Sequence, residues 1–179
     1  MSSAPAIAPP AASEYAPYYN TYISLVGGDN ILESLERLGT TAAEFYSTLP
    51  EEQAGLRYAP GKWSIGETLG HVIDTERIMT YRALRFSRND TANLPGFEQE
   101  GYIEFGPYAK CTLADLVAEF SCVRHASLYL FRNLDQSAWM RSGTADNKQI
   151  TVRSLAYIVA GHELHHRKIV QERYLVAKA

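Results

Sequence analysis

The sequence predicts an all-α protein: a four-helix bundle with a long loop between its second and third helices. Three observations carry that expectation. Four stretches, beginning at Ile31, Ile65, Leu113 and just after Thr151, space their apolar residues at three and four. Each opens on a residue suited to the start of a helix: Asn30, Ser64, Thr112 and Thr151. No stretch sustains the alternation of a strand.

The elements follow in order. Residues 1–15 read as a disordered, Pro-broken tail, and residues 16–179 as a single domain. Tyr15, Tyr18, Tyr19 and Tyr22 form an aromatic cluster expected to pack against the first helix. Gly27-Gly28-Asp29-Asn30 is a turn ending in good capping residues. Leu32, Leu35, Leu38, Ala42, Phe45 and Leu49 then mark an amphipathic helix that Pro50 closes. Ser64 with Glu67 is a capping box. It starts the second helix, which runs through Ile65, Leu69, Val72, Ile73, Met79 and Leu84 to about Phe86. Between Ser87 and Thr112 the periodicity is lost, and a loop this long tends to serve a site or cover one. Thr112 and Asp115 open the third helix, to about Leu134. Ser142 to Gln149 reads as a polar turn region, and the fourth helix runs from Thr151 to near Leu175.

Composition narrows the function. With 46% hydrophobic and 21% charged residues, the chain falls among ordinary soluble globular proteins. A net charge of -3 with scattered Lys and Arg excludes a nucleic-acid surface. No run is long enough to cross a bilayer, and Met1 to Pro10 has neither a basic start nor an unbroken apolar core, so a cytoplasmic protein is expected. Cys111 and Cys122 lack CxxC spacing and are expected to be buried, reduced thiols.

The chemistry concentrates in Gly161-His162-Glu163-Leu164-His165-His166, which holds three of the five histidines. His162 and His166 are four apart, so on a helix they share one face, and the neighbouring Leu155, Ile158, Val159, Ile169 and Val170 turn that face inward. HExxH is the signature of zinc proteases. Those enzymes take a third ligand from downstream, and one large group turns the chain there with a Gly. Ile169 stands in that position here. The helix therefore continues, and Glu172 is swung away from the His162/His166 face.

The third ligand must come from upstream, where His71 and His125 remain. If the second helix faces the fourth, His71 completes a three-histidine site. Asp74, one turn on, is the candidate to orient an imidazole through its second nitrogen. His125 sits at the margin of the third helix's apolar face and reads as a partly exposed histidine; His165 reads as a flanking one. Glu163, about 100° round the helix from His162, is either a salt-bridged carboxylate or a general base acting on activated water. Three neutral imidazoles leave an open position on zinc or a similar ion, the pattern of a catalytic site. The loop from Ser87 to Cys111 would wall the pocket, with Phe97, Tyr102 and Phe105 serving mainly as packing.

The runs Ala59-Pro60-Gly61-Lys62-Trp63-Ser64-Ile65-Gly66-Glu67 and His71-Val72-Ile73-Asp74-Thr75-Glu76-Arg77 resemble the DinB-like superfamily. So do Arg82-Ala83-Leu84-Arg85, Leu94-Pro95-Gly96-Phe97 and the closing Gly161 to His166 run, over roughly residues 20 to 175. The resemblance implies a four-helix bundle, usually a homodimer. It also implies a divalent metal, zinc or nickel foremost, on His71, His162 and His166. Some members are S-transferases using a low-molecular-weight thiol, and others are described as metal-dependent hydrolases. The expectation is therefore a metal-dependent enzyme acting on a small-molecule substrate. The alternative is a non-catalytic, metal-stabilised or stress-related helical bundle.

Overall fold

The computed structural model describes residues 7–27 and 30–175; the tail's first six residues, and Gly28 and Asp29 of the expected turn, lie outside them. A short helix, α1 (Asn20–Ile23), precedes α2 (Ile31–Ser47) and α3 (Ile65–Ser87). α4 (Gln99–Phe105) lies in the long loop, and α5 (Leu113–Arg132), α6 (Gln136–Met140) and α7 (Val152–Ile169) follow. α2 and α3 each pack on both α5 and α7, so the bundle runs α2, α5, α3, α7 around its axis.

The helix starts are where the side chains dictate. Asn30 accepts from the Leu32 N–H, and Thr112 from that of Asp115. Ser64 and Glu67 exchange both bonds of a capping box, and Arg57 adds a two-pronged contact to Glu67. α7 passes at its C-terminus into a π-helical turn, Val170–Tyr174, whose Tyr174 hydroxyl donates to the Trp63 carbonyl at 2.7 Å.

Two apolar clusters fill the bundle, one around Leu35, Phe86, Phe131 and Leu155, the other around Tyr46, Leu69, Leu116 and Val170. Arg124 on α5 makes a bidentate contact with Glu76 on α3, both bonds 2.8 Å, and donates to the Leu35 carbonyl on α2 at 3.0 Å. Both side chains are almost fully buried.

Several expectations are corrected. From Ile7 onward the N-terminal segment is packed rather than loose: Tyr157 donates to the Ile7 carbonyl, and Glu14 binds Arg153 and Thr151. The polar turn region is a hairpin, β1 (Ser142–Ala145) against β2 (Lys148–Thr151), turned by Asp146 and Asn147 at φ 52° and 59°. Leu94 of the long loop adds to its edge, bonded to Thr144 and Asp146. That loop also carries α4 and a short 3-10 turn, Tyr108–Lys110. Neither thiol is buried: Cys111 is half-buried and Cys122, on the outer side of α5, is exposed.

Candidate metal centre

His71 comes from α3; His162 and His166 come from successive turns of α7, which packs along it. Their ligand atoms all lie within 4.8 Å of one another. The Nε2 atoms of His71 and His162 are 3.1 Å apart. Two nitrogens bound tetrahedrally at about 2.0 Å would lie roughly 3.3 Å apart, so the spacing fits one small ion. Among the described residues this is the one such cluster of His, Cys, Asp and Glu.

Two glycines set the rings in place, each immediately before a ligand. A Cβ at Gly161 would lie 2.1 Å from the Tyr22 carbonyl oxygen, so only Gly lets α1 close onto α7 at His162. A Cβ at Gly70 would lie 2.3 Å from the Tyr108 ring, which therefore beds on α3 beside His71. Tyr22 then stands edge-on to His162, with ring centroids 5.1 Å apart, and Trp63 covers His71 at 4.7 Å.

Burial determines the charge state. It lowers the His71 imidazole to about 4. It also holds His162 and His166 well below the ordinary histidine value, helped by the neighbouring rings. Near neutrality the three are neutral donors, the form that a borderline ion such as zinc or nickel takes.

Two cavities reach the centre. One, of about 230 Å³, opens at His71 and His162 between Tyr19, Tyr22, Met79, Phe97 and Ile158. The other, of about 200 Å³, opens at His166 between Tyr58, Lys62, Trp63, Glu100 and Tyr174. Trp63 Nε1 donates to Glu100 at 3.1 Å, tying α4 to the rim of the second.

The remaining expected site residues are elsewhere. Asp74 does not orient a ring: it accepts from the Tyr108 hydroxyl and lies 3.8 Å from Arg77. Glu163 lines neither cavity. It accepts from Arg167 at 2.7 Å beside Arg124 and Tyr46, and burial raises its pKa. His125 is exposed in the groove between α2 and α5, and His165 packs edge-on against Tyr22 and His166. Phe97 is a cavity wall, Tyr102 packs edge-on against it while staying partly exposed, and Phe105 is exposed rather than packed. Sequence reasoning missed Trp63 and Glu100 as wall residues, and assigned Tyr22 to the first helix when it packs on the last. A Trp directly before a capping box was the available signal for Trp63.

Comparison with known proteins agrees with the fold. The sequence profile of the DinB superfamily matches residues 34–170. No curated protein matches. Among solved structures the chain is similar to YfiT from Bacillus subtilis, described as a probable metal-dependent hydrolase with an unusual four-helix bundle topology. The TM-score is 0.65 at 15% identity, over 79% of this chain and 84% of that one.

Proposed function

The chain belongs to the DinB superfamily, and from that premise we propose that it is a metal-dependent enzyme in which His71, His162 and His166 hold one divalent ion, zinc or nickel. The observation that carries this is the convergence of three neutral imidazoles, two buried and one half-buried, from two helices within 4.8 Å, with cavities on either side. An all-imidazole set joined by no fourth His, Cys, Asp or Glu among the described residues is the pattern of a catalytic rather than a structural zinc site. When bound, such an ion supplies a Lewis acid that makes water or a thiol nucleophilic at neutral pH.

The protein's own groups do the rest. Trp63 and Tyr22 flank the rings and wall the two cavities that reach them. Glu163 is not placed to take a proton from a reactant, being turned to Arg167. Any carboxylate that does so comes from the rims, where Glu98 and Glu100 stand. With water as nucleophile the enzyme is a hydrolase. The second cavity favours thiol transfer as well, since Lys62, on the same cavity wall as His166, gives an anionic low-molecular-weight thiol a cationic partner there.

Zinc-loaded protein, compared with His166→Ala, separates the two chemistries. Loss of a small thiol in step with an electrophile identifies transfer. Cleavage of activated esters without thiol identifies hydrolysis. A protein that takes up zinc, gains thermal stability and turns over neither is a metal-stabilised bundle. The homodimer is part of the same proposal, and light scattering of the purified protein at twice the 20.0 kDa chain mass supports it.

A further inference from the structure

Arg167 on α7 is 7% exposed, and its guanidinium makes one hydrogen bond, from Nε to Glu163 Oε1 at 2.7 Å. Three other arginine–carboxylate pairs engage both oxygens: Arg57 with Glu67, Arg124 with Glu76 and Arg153 with Glu14. Here Glu163 Oε2 is sealed from water and has no partner. The Arg167 fork is turned away from it. Both terminal nitrogens lack a hydrogen-bond partner among the described residues, and neither is closed to water as Oε2 is. A guanidinium carries five N–H donors in a fixed fork, so a largely buried one with four of them unspent asks for an acceptor.

Arg167 lines a groove of about 550 Å³ on the seam between α2 and α7. Arg37 of α2 lines it too, with Leu25, Leu38 and Leu164 as apolar wall, and no carboxylate lines it among the described residues. The Arg37 guanidinium has no ion-pair or hydrogen-bond partner among those residues. Nearby carboxylates of α2 are engaged elsewhere: Glu33 accepts from Asn30 at 2.9 Å, and Glu36 from Arg132 at 2.9 Å. The Thr41 hydroxyl donates to the Arg37 carbonyl at 2.8 Å, so the free side-chain donors of the groove are the two guanidiniums. Glu163 offsets one of these charges, and the groove keeps a net positive one.

We propose that this groove binds a small organic anion, its carboxylate or phosphate oxygens on Arg37 and Arg167 and its apolar body against Leu25, Leu38 and Leu164. Such oxygens match the donor spacing of a guanidinium fork. The groove shares no wall residue with the two cavities at the histidines, and binding there requires no metal.

The test is chemical-shift titration of the metal-free chain with phenyl phosphate, with benzoate, and with benzyl alcohol as the uncharged counterpart. Wild type is expected to bind at least one of the anions, the tighter naming the preferred group, and to bind benzyl alcohol at least about tenfold more weakly. Arg37→Met removes an exposed side chain and should weaken the anion about tenfold, the worth of one charge-assisted hydrogen bond. Arg37→Lys, which keeps the charge and loses the fork, should fall between. Arg167→Met combined with Glu163→Leu removes the buried pair together, leaves no charge stranded, and should abolish binding. Lys62→Met, in the cavity at His166, should bind as wild type does. Wild type that saturates with neither anion overturns the proposal, as does equal binding by wild type and Arg37→Met. Loss of binding in Lys62→Met also overturns it, since that puts the anion in the other cavity. Should the double variant fail to fold, Arg37→Met decides alone.

Discussion

The Tyr22 carbonyl oxygen stands where a Cβ on Gly161 would come within 2.1 Å of it, one residue before His162. The contact joins α1 to the helix that carries two of the three imidazoles. Gly161→Ala forces that backbone away and is expected to destabilise the protein by about 1–3 kcal/mol, as overpacking does. Because Tyr22 loses its place against His162, zinc affinity should fall with it. Urea unfolding and a zinc titration on the same variant check both parts; unchanged stability would mean that α1 does not press on α7.

Arg124 and Glu76 form an ion pair that water does not reach. Removing one partner leaves the other charge buried alone, so Arg124→Met should cost about 3–5 kcal/mol. Replacing both, as Arg124→Met with Glu76→Leu, should recover most of that loss. Denaturant midpoints of the two single variants and the double variant test this, and additive losses would contradict it.

The N-terminal segment gives the protein an acid-side sensitivity. The Arg153 guanidinium, hydrogen-bonded to Glu14, holds that carboxyl below its usual value of 4.5. A carboxylate depressed in the folded state contributes stability above its unfolded pKa, and this is lost as pH falls through the folded value. Stability should therefore drop below about pH 4.5 more steeply in wild type than in Glu14→Gln. Urea midpoints between about pH 6 and 3 decide it; parallel curves would show that the pair contributes nothing.

Glu163 supplies a negative control. Its Oε1 accepts from Arg167, and it lies off both cavities. Glu163→Gln keeps that acceptor, so zinc affinity and any turnover should stay within about threefold of wild type. A hundredfold loss of turnover with zinc affinity intact would restore Glu163 as the general base.

Much of this was legible in the sequence because it is local. Apolar spacing and the capping residues placed the four long helices within a few residues, and the His162–His166 interval put both rings on one face. What stayed hidden depends on partners far along the chain. Asp74 is one turn from His71, as expected, but the Tyr108 hydroxyl from the long loop engages it. Glu14 reaches Arg153 across 139 positions, and no local pattern announces that. The hairpin has strands of four residues, too short to show alternation, and only Asp146-Asn147 hints at its turn. Glu163 was undecidable from spacing, since one step round a helix leaves a side chain free to face either neighbour.

The most direct test of the central claim is titration of metal-free protein with cobalt(II), read by its visible spectrum, for wild type and for alanine at His71, His162 and His166 separately. The three-imidazole centre predicts one ion per chain with an intense low-symmetry band, and loss of at least about a hundredfold in affinity with each substitution. Variants that keep fold and bind cobalt as wild type does, or any one ring proving dispensable, would contradict it.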